Sequence, residues 1–74
     1  MERYKNLSGN SSVVAYEIEE DSITVKFSDS MQYKYSNASA GSQNITQMKN
    51  LAILGRGLNS FIMKNVKKNY SSKW

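Results

Sequence analysis

Residues 13–36 read Val13-Val14-Ala15-Tyr16-Glu17-Ile18-Glu19-Glu20-Asp21-Ser22-Ile23-Thr24-Val25-Lys26-Phe27-Ser28-Asp29-Ser30-Met31-Gln32-Tyr33-Lys34-Tyr35-Ser36. Large apolar side chains recur at every second position: Val14, Tyr16 and Ile18, then Ile23, Val25 and Phe27, then Met31, Tyr33 and Tyr35. That is the period of a half-buried β-strand, in which alternate side chains point to opposite faces. Glu19-Glu20-Asp21-Ser22 and Ser28-Asp29-Ser30 interrupt the alternation with turn formers. Three strands joined by tight turns make an antiparallel meander. The three apolar sets must share one face, because a one-residue slip would turn a whole set to water. Glu17, Glu19, Thr24, Lys26, Gln32 and Lys34 then form the opposite, solvated face.

The period changes after Asn37. Ser39 or Ser42 is suited to cap a helix. Ile45, Met48, Leu51, Ala52 and Leu54 fall on one helical stripe. Gly55 is placed to end that helix in the left-handed conformation. After Gly55-Arg56-Gly57 a second helical stripe holds Leu58, Phe61, Ile62, Val66 and Tyr70, with Lys64, Lys67 and Lys68 on the other side. A sheet and two helices, each with one apolar face, satisfy one another only by packing together. The expected class is α+β: a three-stranded antiparallel β-meander followed by two α-helices packed on one face. Residues 1–10 read as a lead-in rich in loop formers, 11–70 as one domain, and 71–74 as a fraying tail.

With 74 residues, 39% of them hydrophobic and 22% charged, the chain is globular material with a thin core. It has no Cys and no His. That removes disulfides, thiolate nucleophiles and zinc knuckles, together with the commonest general base. The expectation is a module that is not an enzyme, with no cofactor, no metal and a reducing, cytoplasmic home. Met1-Glu2-Arg3-Tyr4-Lys5-Asn6 is too polar for a signal peptide. No apolar run approaches the roughly 18–20 residues of a membrane span, so no membrane association is expected. Glu17, Glu19, Glu20 and Asp21 lie on an open face and a hairpin, where nothing would desolvate them for acid–base work.

Charge is divided unevenly along the chain. Arg3, Lys5 and Lys26 against all six acids give −3 before residue 31, and seven cations with no acid give +7 after it. A half so unbalanced points to an anionic partner. Arg56, Lys64, Lys67, Lys68 and Lys73 are the candidate phosphate contacts, although lysines in a last helical turn also complement the helix dipole. Tyr33 and Tyr35 share one side of a strand. They are either a stacking platform for bases or core rings beneath the helices. Their register with Phe27 and Val25 favours the core and leaves stacking at a rim. Gly55-Arg56-Gly57-Leu58-Asn59 lacks the spacing and lysine of a phosphate-binding loop and reads better as a helix–helix turn. The rival class is a protein-interaction or assembly module, with the Leu58/Phe61/Ile62 stripe or an exposed sheet edge as its interface.

Ser11-Ser12-Val13 through Tyr16, Ile23-x-Val25-x-Phe27, Tyr33-Lys34-Tyr35, Ala52, Gly57-Leu58-Asn59-x-x-Ile62 and Tyr70 follow one another in an order that resembles the KTSC domain. This short domain is found at the C-terminus of some lysyl-tRNA synthetases and alone in small bacterial and phage proteins. The likeness spans residues 8–72. It implies a small β-meander with following helices, suggests RNA as a partner, and carries over no catalytic residue. Where the family often has Val-Pro after the Tyr-x-Tyr strand, this chain has Asn37-Ala38-Ser39, which implies a softer or shifted helix start.

Overall fold

The computed structural model describes all residues, 1–74. The chain is α+β, with a five-stranded antiparallel sheet and three helices. In chain order it runs β1 (Glu2–Arg3), β2 (Val13–Glu19), β3 (Ser22–Phe27), β4 (Gln32–Ser36), α1 (Asn37–Ala40), α2 (Ser42–Leu54), α3 (Leu58–Phe61) and β5 (Ser72–Lys73). The sheet order follows the sequence order, β1 to β5. The alternating segments form its three central strands. Val25 lies opposite both Tyr16 and Tyr33, and Ile23 opposite both Ile18 and Tyr35. These six side chains share a face, as the period requires.

The first strand departs from simple alternation. A bulge between Val13 and Ala15 places one extra residue, Val14, in β2. Val13 therefore turns to the core and is fully buried, whereas Val14 is 39% exposed. The extra residue reverses the alternation for everything before it. Its carbonyl is not wasted, because it accepts the Tyr4 amide at 3.0 Å.

Ile23, Val25, Tyr35 and Val13 meet Ile45, Met48 and Ala52 of α2 and Leu58, Ile62 and Val66 beyond it in a single core of twelve buried residues. Burying each larger aliphatic side chain contributes about 2 kcal/mol. Leu54, read into the α2 stripe, is half exposed instead. Leu58 and Ile62 have no exposed surface at all and Phe61 is partly buried against the core, so two of the three residues named as an association interface are core. On the open face Ser22 and Thr24 are small enough to be screened by their longer cross-strand neighbours, Glu17, Glu19 and Lys34.

The segments read as lead-in and tail each contain a two-residue strand. β1 pairs with β2 and β5 with β4. Tyr4 is core, and the Leu7 amide donates to the Gly55 carbonyl at 2.7 Å. Trp74 and Gln32 exchange both backbone hydrogen bonds, at 2.8 and 2.9 Å. Two residues of pairing carry no alternation to detect, which is why composition alone read both segments as loose.

The helix start also differs. Ser36 caps α1, with Ser39 closing the reciprocal half of a capping box. Ser39 and Ser42 thus lie inside helices, not ahead of them. Ser36-x-x-Ser39 uses Ser where Glu or Gln is usual, so the motif is masked in the sequence. Gly55 ends α2 at φ 92°, ψ 17°, its amide bonded to the Leu51 carbonyl.

Gly55 has a second constraint. A Cβ there would lie 2.7 Å from the Cβ of Lys5. Gly55→Ala combines left-handed strain with this clash and should cost about 2–3 kcal/mol in chemical denaturation. Gly9→Ala, at φ +82° with open space around it, carries the strain alone and should cost about 1 kcal/mol. Equal losses at the two sites would refute the close approach of the residue 5 backbone to Gly55.

Candidate nucleic-acid interface

α3 continues without a break into a π-helical turn, Ile62–Val66. Such turns are rare. Asn59, Met63 and Lys67, four residues apart, lie along one side of this continuous helix and wall a groove. The floor comes from the sheet: Phe27, Tyr33 and Tyr35. Tyr70 and Lys73 close the far side, Ser28 and Asp29 of the β3–β4 turn and Ser12 close one end, and Lys68 stands beside Lys67. The groove has a volume of about 450 Å³.

The aromatic residues form a connected set. Phe27 and Tyr33 meet edge to face at 5.5 Å, and Tyr33 and Tyr70 at 5.2 Å. Tyr35 approaches Tyr70 at 6.4 Å. The Lys73 ammonium lies 5.6 Å from the centre of the Tyr70 ring, within cation–π range. Tyr35 is buried and Tyr33 only partly so. Both rings pack with the core and line the groove floor, Tyr35 as a buried ring and Tyr33 as a partly exposed one.

Lys67, Lys68 and Lys73 are exposed and have no carboxylate within ion-pair distance. The one ion pair of the chain joins Lys34 to Glu19 at 3.5 Å on the open sheet face. It is solvent-screened and contributes little. Of the residues expected to contact a nucleic acid, Lys67, Lys68, Lys73, Tyr33 and Tyr35 are brought together in the groove. Arg56 and Lys64 are exposed and do not line it. Arg56 lies in the turn before α3. The amide that would make this turn an anion seat, that of Leu58, is occupied by the Tyr4 hydroxyl at 3.3 Å. Sequence reading missed Phe27, Asp29, Asn59 and Met63 as groove residues and placed Tyr70 only in the core stripe. Nothing in local periodicity marks them, since they meet only through the fold.

Comparison with protein-family models, with curated proteins and with solved structures returns no match. No helix is long and apolar enough to cross a membrane.

Burial pushes the Tyr35 phenol from its usual 10.0 up to about 12, with Tyr33 and Tyr70 adding to the effect. Its hydroxyl donates to the Lys67 carbonyl over a long 3.4 Å. The folded chain therefore holds this proton more tightly than the unfolded chain. The stabilisation is complete below pH 10 and is lost as pH rises toward 12. An absorbance titration of the five tyrosines should show one ionising last. Tyr35→Phe should remove the part of the alkaline stability loss that this group causes. An unchanged alkaline profile in that variant would contradict the burial of the phenol.

Proposed function

We propose that this chain is a non-catalytic binding module of KTSC-like type. It takes a short run of single-stranded nucleic acid, RNA before DNA, in the groove between the sheet and the α3 helix. The observation that carries this reading is the convergence of Tyr33 and Tyr70 with Lys67, Lys68 and Lys73 around one open groove. Single-strand binders combine those two elements: a cationic track for phosphates and aromatic rings on which bases stack irrespective of sequence. RNA comes first because sequence-specific and stacking recognition of RNA targets unpaired bases, in line with the synthetase setting of the domain this chain resembles.

Binding is weak and strongly salt-dependent. Three lysines meeting phosphates on a single strand give a slope of log K against log salt of about −2. Fluorescence anisotropy with a labelled single-stranded oligonucleotide measures it. Lys67→Ala and Lys68→Ala should each make the slope shallower by about 0.7, whereas Arg56→Ala should leave it unchanged. A slope near zero, or no binding at low salt, would remove the proposal.

A second reading, self-association, draws support from a different place. Met1, Tyr16, Ile18 and Ile53 line a second cleft together with Glu2 and Glu17, and Ile53 is 58% exposed. Light scattering at micromolar concentration separates the two. The nucleic-acid reading expects a monomer, and a dimer that Ile53→Lys disperses would favour association.

A further inference from the structure

Asp29 is the one acid that lines the groove, among three lysines. It is exposed, in the turn between β3 and β4. Its Oδ1 accepts the Met31 amide at 3.0 Å, which holds the carboxylate in place. Its Oδ2 has neither a hydrogen bond nor an ion-pair partner. A carboxylate repels phosphate, so it has no place on a backbone track. It fits a ligand that presents hydrogen-bond donors at this end of the groove while its phosphates follow the lysines.

The four RNA bases differ in what they present to such a group. Guanine carries N1–H and N2–H side by side on its Watson–Crick edge, two parallel donors that match the two carboxylate oxygens. Oδ1 keeps a free lone pair after accepting from Met31, so both oxygens remain usable. Cytosine and adenine each offer a single exocyclic amine next to a bare ring nitrogen, which faces the second oxygen as acceptor against acceptor. Uracil offers N3–H between two carbonyls. Only guanine satisfies the carboxylate bidentately without a repulsive neighbour. The purine also offers the larger π-face to Tyr33 or Tyr70, both of them partly exposed.

Resting on the single-strand reading of this groove, we propose that Asp29 makes it selective for guanine, with the base on the tyrosines, its Watson–Crick edge on Asp29, and the flanking phosphates on Lys67, Lys68 and Lys73. The test is anisotropy at low salt with three labelled RNAs: an oligouridine, the same strand with one central guanosine, and the same strand with inosine there. Inosine keeps N1–H and loses the N2 amine. The wild-type chain should bind the guanosine strand about five- to tenfold tighter than oligouridine, with inosine between them. Asp29→Asn should lose this preference and bind oligouridine somewhat tighter, because a negative charge facing the phosphates is gone. Equal wild-type affinity for all three strands overturns guanine selection and leaves the groove reading standing. Failure to bind any strand at low salt overturns both. The inosine comparison changes only the ligand, so the result holds even if Asp29→Asn perturbs the turn.

Discussion

The burial of Tyr35 beneath the end of the π-helical turn that follows α3 is the contact on which the arrangement depends. Its ring belongs to the core with Ile23, Val25 and Val66, and its hydroxyl reaches the Lys67 carbonyl. A large ring at this point sets the height of the helix end above the sheet, since close-packed interiors leave no slack for another spacing. It thereby fixes where the chain leaves the helix and where Lys67 and Lys68 emerge. Tyr70 then packs against both Tyr33 and Tyr35, which directs the following residues along β4 as a fifth strand.

From that contact the groove follows. Its floor is the part of the apolar sheet face that the helices leave uncovered, so its rings are a continuation of the core and not an added feature. Its rim is cationic because residues 67, 68 and 73 stand on the two segments that border the uncovered strip. The acids are mostly elsewhere: Glu17 and Glu19 point from the opposite face, and Glu20 and Asp21 lie in the β2–β3 turn, whose Glu20 carbonyl accepts the Lys49 ammonium at 2.9 Å. Asp29 is the exception, and its place in the β3–β4 turn brings it to the end of the strip.

The three central strands were legible because a two-residue period is a local property, and each strand repeats it often enough to be seen. The α2 helix was legible for the same reason, together with its glycine stop at Gly55. The bulge at Val14 was not, because two adjacent valines allow either phase and only the pairing with Phe27 and Lys26 selects one. The β1 and β5 strands were hidden because two paired residues have no period. Their order comes from partners far away in the chain: Val14 for Tyr4, and Gln32 for Trp74. For the candidate site, the cations of the second half and the Tyr-x-Tyr pair were visible as types, but which of them meet was not.

The order of residues along the chain was enough to establish an α+β domain with a meander at its centre and a positively charged second half, since periodicity and charge are carried by neighbours in sequence. The difference in burial between Tyr35 and Tyr33, the recruitment of Lys73 and Asp29 to the groove, and the exclusion of Arg56 and Lys64 were decided by the folded arrangement alone. Each depends on how far the helices extend across the sheet, and that distance is set by packing between residues thirty or more positions apart, such as Tyr35 and Lys67.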